Sequence, residues 1–481
     1  MTLPLSRATS ALVALLAAWA PTAAAQLDSA LLSKLRFNLT NPGGKSLAMG
    51  GAFSAIADDA TAALANPAGL GLISSIEIAV SGKRVNETLA LSTARSVASG
   101  SLATSYPPVT TSSVGLDAST TGVEFAGVVV PISRRLVAAL TYAENLRFEG
   151  DAGPGGYQYL ELRDNRSGGT TRRDFLFEYR EFGSAKLSNR LLAGSLAFRV
   201  TESLRVGGGV TLNRATFDLD GDSGGPHRIV SRFSTSPTAE EVRTVTMGVT
   251  GLSGTRVGFV AGVHADLVSD GKLTFGADYR WNPAADGVLA IGGDVPTALA
   301  GQKERTFRFR VPSDASVGLA AHPMPGLTIA AELQWVRYGE IFDRALPVVS
   351  YQGILSTGFP LVAPILSDLS PAPNVFVPRL GFEYVTGGKD VRVALRVGYH
   401  REPAHGVTAS LAAKEPSTGQ SYPITDPPYS ESVAAVFDGG KADDRFTGGL
   451  GLTVSRALSV DFGFDVGRDS RQFAVSLFYR F

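Results

Sequence analysis

Strict alternation of apolar and polar residues recurs along this chain and is clearest at its end. From Arg471 to Phe481, the residues Phe473, Val475, Leu477, Tyr479 and Phe481 fall on one side of an extended strand. Gln472, Ala474, Ser476 and Arg480 fall on the other, where Phe478 is the apolar exception. In water such a terminal stripe would invite aggregation, whereas in a membrane it is the lipid-facing side of a barrel's closing strand. The same period recurs from Leu458 to Val466, from Val391 to Tyr399, from Leu327 to Trp335 and from Leu273 to Trp281. Charges occupy several of the intervening polar positions. Each would cost about 2–4 kcal/mol near the bilayer midplane, so these positions are expected to face a polar lumen.

Fourteen segments carry the pattern: 75–92, 120–132, 135–148, 173–200, 203–218, 243–268, 271–282, 303–321, 326–338, 378–388, 390–401, 445–455, 457–467 and 471–481. Links after even-numbered segments are tight. Most links after odd-numbered ones are long, near 149–172, 219–242, 283–302, 339–377 and 402–444. Short turns belong in the periplasm and long loops outside, which puts both ends of the barrel on the periplasmic side. The expected fold is all-β, a transmembrane antiparallel β-barrel of about fourteen strands. Segments 173–200 and 243–268 exceed a single crossing, which leaves sixteen or eighteen strands open.

The N-terminus differs from all this. Arg7, an apolar run from Ala11 to Ala20, Pro21 and the small residues Ala23, Ala24 and Ala25 have the three-part pattern of a secretory signal peptide, so 1–25 is expected to be a leader and the protein to be exported. Residues 26–74 lack alternation and are rich in Gly, Ala and Asn. A fourteen-strand barrel is too wide for its own side chains to fill, so this segment is expected to plug the lumen of the barrel formed by 75–481.

Within that segment the run Gly50 to Leu70, GGAFSAIADDATAALANPAGL, resembles the N-terminal hatch of the FadL and TodX outer-membrane transporters of long-chain fatty acids and aromatic hydrocarbons. Asp58 and Asp59 followed by Asn66, Pro67 and Ala68 form the matching core, and the strand order of the later segments follows the family's too. The resemblance implies a monomer in the outer membrane, in contact with lipid and lipopolysaccharide. It further implies passive passage of a hydrophobic small molecule, a hatch whose Asn66-Pro67-Ala68 turn takes part in gating, and a wall opening involving the third strand. Hatches of the same style occur in PorV-like barrels that bind protein partners in secretion, and this is the alternative reading. Physically, Pro67 fixes φ and Asn66 bonds nearby backbone, which makes a compact turn; Asp58 or Asp59 is placed to cap the Ala-rich stretch, with Asn66-Pro67 ending it.

Candidate ligand contacts lie in the loop at 339–377, where Leu355, Phe359, Leu361, Val362, Ile365 and Leu366 supply more apolar surface than an exposed loop ordinarily carries. The alternative is that these side chains pack on one another to cap the barrel. A transporter should place an apolar cavity between this loop and the hatch. Arg308, Arg310, Arg392, Arg396 and Glu332 are candidate lumen charges, either holding a carboxylate head group or pairing across strands and with the plug.

Composition narrows the alternatives. With 54 glycines, 44% hydrophobic residues and a formal charge of zero, the 481-residue chain is neither disordered nor a nucleic-acid binder. Its mean hydropathy is close to neutral, as alternating faces require. Zero cysteines exclude thiol catalysis and thiolate metal sites, and suit transit through an oxidising periplasm. The five histidines show no metal-ligand spacing, Gly-x-Ser-x-Gly is missing, and Gly43-Gly44-Lys45-Ser46 fails the phosphate-loop pattern because Leu39 stands at its first Gly. No enzyme activity, metal or cofactor is expected.

Overall fold

The computed structural model describes residues 39–101, 110–151, 157–168, 171–172, 175–220, 227–236, 239–250, 252, 254–268, 271–293, 304–341, 364–370, 372–406, 408–414, 421–423, 439–455 and 457–481. The leader expected at 1–25 lies outside them.

Fourteen strands close into one antiparallel ring. They are β1 (Glu77–Ser101), β2 (Thr110–Pro131), β3 (Leu136–Asp151), β4 (Ser184–Arg199), β5 (Leu204–Asp220), β6 (Thr255–Asp266), β7 (Leu273–Trp281), β8 (Asp314–Met324), β9 (Leu327–Val336), β10 (Val375–Gly387), β11 (Val391–Glu402), β12 (Asp443–Val454), β13 (Leu458–Val466) and β14 (Ser470–Arg480). Each pairs with the next in the chain, and β14 pairs with β1 from Glu77 opposite Arg480 to Glu87 opposite Ser470. Closure removes the sheet edges that lipid could not satisfy.

The alternation read from the sequence sets the faces. Along β14, Phe473, Val475, Leu477 and Tyr479 are exposed on the lipid side while Gln472, Ala474, Ser476 and Phe478 are buried. Among the described residues no helix is long and apolar enough to cross a membrane.

Three of the sequence segments prove to be two strands each. Segment 173–200 breaks at Gly183 (φ +120°) into Phe175–Phe182 and β4, 243–268 divides into Ala239–Thr250 and β6, and 303–321 divides into Glu304–Phe309 and β8. The pieces that do not join the ring build a sheet at one end of it with Tyr157–Gly168, His227–Ser236 and Ala285–Gly293, three stretches read from the sequence as loop. This sheet starts on the upper end of β1, where Ala94–Ser101 runs parallel to Leu160–Ser167, and ends at Glu304–Phe309. Beyond the hydrocarbon layer neither strand face must suit lipid, so the alternation that marks the membrane strands fades there.

The core lies inside the barrel, around the segment from Leu39 to Ile73. Met49, Phe53 and Leu70 are fully buried among Phe125, Val129, Leu191 and Phe478 of the wall. Burial of each such side chain stabilises the packed state by about 1.5–3 kcal/mol. Glycines on the inner wall make this approach feasible. A β-carbon at Gly207 would lie 2.3 Å from the Pro67 carbonyl carbon, and one at Gly276 would lie 2.1 Å from the Ser54 carbonyl oxygen. Several inner-wall glycines, Gly381 and Gly463 among them, clear room for the N-terminal segment in the same way.

Candidate functional site

The inner segment is built from short pieces. A one-turn helix, α1 (Gly44–Ala48), leads into a reversal at Gly50 and Gly51, both at positive φ. Two 3-10 turns follow, Ala60–Ala63 and Pro67–Leu72. Asp59, not Asp58, caps the first, accepting from the Thr61 backbone N–H at 2.9 Å and from the Thr61 hydroxyl. Asp58 instead pairs with Lys45 at 2.7 Å. Asn66-Pro67 opens the second turn rather than closing the first: Asn66 Oδ1 accepts from the Ala68 N–H at 3.2 Å, and Pro67 occupies the first helical position, where no N–H is needed.

Wall side chains hold these pieces through the backbone. The Glu332 carboxylate accepts from the N–H groups of Phe53 (2.9 Å) and Ser54 (2.8 Å), and the Ser54 hydroxyl donates to Asp278 at 2.6 Å. Asn66 Nδ2 donates to the carbonyls of Ser54 (2.8 Å) and of Val263 on β6 (2.9 Å). Arg379 donates to the Gly50 carbonyl at 3.0 Å. His264 lies between Arg205, which can only donate to its Nδ1 (3.3 Å), and the Ala55 carbonyl, which can only accept from its Nε2 (3.2 Å); the pair fixes the neutral Nε2–H tautomer.

Asp59 is the titratable group of this segment that stands out. Burial, with the Asp58 and Glu77 carboxylates beside it, pushes its pKa up to about 7. The Glu77 carboxylate accepts from the Ala60 N–H at 2.7 Å, so two acids meet at the base of the first 3-10 turn.

Above the inner segment lies a chamber of about 940 Å³, its open mouth included. Leu39 and Thr40 form part of its floor, and Tyr338 and Val377 belong to the stems of the 339–377 connection. Among the described residues the lining is mixed, apolar and charged side chains alternating, and 342–363 of the loop lie outside those residues. Lys83, Glu124, Glu144, Arg147, Arg379, His400, Arg445 and Asp465 line the chamber, with Leu39, Val85, Val123, Leu146, Val336 and Val377 between them. Polar residues are here because the inner faces of the strands are the polar ones. Most charges are paired: Lys83 with Glu124 (3.5 Å), Arg147 with Glu144 (3.6 Å), and Arg445 with Asp465 (2.9 Å) and Asp443 (3.1 Å). Pairing meets the cost of keeping them from water.

The wall of this chamber is split. Strands β2 and β3 pair over seven positions only, from Pro131 opposite Val137 to Phe125 opposite Ala143. Beyond that, β2 continues with β1, from Gly82 opposite Val123 to Arg95 opposite Thr110, and β3 continues with β4 to Asp151 opposite Ser184. A strand needs roughly 9–11 residues to cross the hydrocarbon layer, so the seam opens within it. Irregularities flank the point of separation: the β1–β2 register shifts between Ser81 and Gly82, and the β3–β4 register shifts between Glu144 and Leu146, leaving Asn145 as an extra residue. Bulges of this kind bend a strand and end pairing.

The other residues singled out in the sequence are scattered. Leu355, Phe359, Leu361 and Val362 lie outside the described residues. Ile365 and Leu366 belong to a strand, Pro364–Ser370, that pairs with Thr408–Lys414 in a separate three-stranded sheet with Ser421–Pro423. Arg396 is a lumen residue, bridging Glu383 (2.6 Å) and Asp461 (2.5 Å). Arg308 is not: it stands on Glu304–Phe309, outside the ring, paired with Asp286 at 2.9 Å. Arg310 sits at the rim of the barrel, paired with Glu340 at 3.4 Å and over the Trp281 ring. Arg392 is exposed near the start of β11, by the tight turn. Sequence reasoning missed Arg379, Asn145 and the inner glycines. Glycines at inward parity were the available signal.

No protein-family model matches the chain, and no curated protein matches it. Solved structures do. A FadL homologue of Pseudomonas aeruginosa superposes with a TM-score of 0.56 at 15% identity, over 93% of this chain and 100% of that one. The toluene transporter TbuX of Ralstonia pickettii gives 0.54 at 15%, over 92% and 99%, and the CymD monoaromatic hydrocarbon channel gives 0.53 at 15%, over 93% and 99%. The chain has the fold of FadL-type outer-membrane barrels.

Proposed function

We propose that this protein is an outer-membrane channel through which hydrophobic small molecules enter passively and leave sideways into the bilayer. The observation that carries the reading is the seam between β2 and β3, which opens inside the hydrocarbon layer, at a chamber whose floor is the N-terminal segment. A solute that leaves there must be lipid-soluble. It returns to hydrocarbon without traversing the packed lower lumen, and burial in lipid returns roughly 25 cal/mol per Å² of apolar surface. The likeness of fold to a toluene transporter and a monoaromatic hydrocarbon channel supports hydrophobic small molecules as the substrate class, and the hatch-like run Gly50 to Leu70 adds long-chain fatty acids as candidates.

In this reading residues 26–74 form the hatch, and Asp58, Asp59 and the Asn66-Pro67-Ala68 turn are its gating elements. Pro67 packs so closely on Gly207 that the wall leaves no room there for a β-carbon. The test is uptake of labelled oleate and of labelled toluene by cells carrying the intact protein or Pro67→Ala, at matched amounts in the outer membrane. Uptake that falls in the variant supports a gated hydrophobic channel. No uptake of either probe with a folded barrel sinks it, and favours a barrel that binds a protein on its extracellular sheet.

A further inference from the structure

The seam is open as a ladder, yet Arg147 crosses it. Arg147, on the unpaired edge of β3, carries its guanidinium to β2, where Nη1 would stand 2.9 Å from a β-carbon at Gly122. Only a glycine leaves that place free. The guanidinium is pinned by Glu144 (3.6 Å) and Glu149 (3.1 Å), and Glu144 is held in turn by Arg190 of β4 (3.3 Å). Glu144 is buried to 6% exposure, so its position is set by the protein and not by solvent. Beside this bridge the seam is lined by Leu146, which is buried, and by Val123, which is 49% exposed, both of them also in the chamber lining.

We propose that Arg147 is the latch of the lateral exit: a guanidinium lying over Gly122 that closes the seam at rest and swings away as a solute passes. This rests on the reading of the protein as a hydrophobic channel, and adds to it the residue that sets the rate of exit. An arginine suits the task. Its planar fork reaches two carboxylates at once, Glu144 and Glu149. The long stem lets the head group move while its backbone stays in the β3–β4 ladder.

The latch is tested by the rate at which N-phenyl-1-naphthylamine, which fluoresces on reaching lipid, enters cells carrying the full-length protein. Two variants remove the latch in opposite ways. Arg147→Ala deletes the guanidinium, whereas Gly122→Ala leaves it intact but places a methyl where it rests; both should raise the entry rate about two- to fivefold, the factor implied by the loss of one half-exposed ion pair. Arg147→Lys should fall between them and the intact protein. Entry of a labelled disaccharide should stay at the intact level throughout.

If the intact protein speeds entry over cells lacking it but neither variant adds to that, Arg147 is not the latch. If disaccharide entry rises with the probe, the variants have loosened the plug and the latch is likewise overturned. If the intact protein gives no more entry than cells lacking it, the transport reading itself has failed. Heat-modifiable migration on gels verifies that each barrel is folded, and Arg147→Lys preserves the charge should the alanine variant not assemble.

Discussion

Asn66 donates its side-chain amide to the carbonyl of Val263, 2.9 Å away, and so ties the turn of the inner segment to the sixth strand of the wall. The same amide reaches Ser54, and its oxygen caps Ala68, so one fully buried side chain satisfies three backbone groups. Asn66→Ala leaves these groups unpaired and is expected to lower stability by about 1–3 kcal/mol. Protease cutting within 57–70 of the folded barrel, compared with the intact protein, measures it; equal resistance would show that the turn is held by packing alone.

Gly207 permits the same contact from the wall side. In Gly207→Val the added carbons meet the Pro67 and Ala68 backbone, which cannot rotate out of the way as a side chain could. The cost expected is about 1–3 kcal/mol, relieved by a shift of the turn. Planar-bilayer recordings should show higher conductance than the intact barrel. Unchanged conductance with normal folding would mean that the turn does not occlude the lumen.

Asp59 gives the plug a pH dependence of definite sign. Its pKa is about 7 in the folded protein, above the 3.8 of a free carboxyl. The packed segment therefore holds the protonated acid better, and this stabilisation is present in full below pH 3.8 and lost as pH rises through 7. Hydrogen exchange at 59–64 should be slower at pH 5 than at pH 9, after correction for intrinsic rates. Asp59→Asn keeps an amide able to cap Thr61 but cannot ionise, and should flatten the difference. A slope that survives this substitution would assign the effect to another group.

Glu332 receives two backbone N–H groups of the inner segment, at Phe53 and Ser54. Glu332→Gln keeps one acceptor oxygen and loses the charge, while Glu332→Ala leaves both donors unpaired. Thermal unfolding in detergent should rank intact above Gln above Ala, with the last about 2–4 kcal/mol down. An alanine variant as stable as the glutamine one would mean that water replaces the carboxylate.

Strand positions and facing were readable in advance for a local reason. Side chains alternate along any strand, and a membrane imposes opposite polarity on the two faces, so Val475 and Leu477 against Ala474 and Ser476 announce both strand and orientation. Long connections against short ones set the expected polarity of the barrel equally locally. By the same logic the strands outside the ring, such as Tyr157–Gly168, were hidden, since no lipid disciplines their sequence.

The candidate site was only half visible. Asn66 and Pro67 announced a tight turn, but the identity of what they touch depends on which strand passes the lumen at that height. Arg396 and Arg308 look alike in sequence, each among alternating neighbours; one lies in the lumen bridging Glu383 and Asp461, and the other stands outside the ring on Asp286. That difference arises from where a strand leaves the barrel.

By itself, then, the sequence determined a barrel of about fourteen membrane strands and their inward and outward faces, because these follow from the period of the chain and the solvent on each side. Tertiary structure alone decided that β2 and β3 part after Phe125 and Ala143, that Arg147 reaches across to Gly122, and that Gly207 and Gly276 leave room for the backbone of Pro67 and Ser54. Those are relations between residues distant in the chain, fixed by register around a closed ring, and alternation carries no information about register.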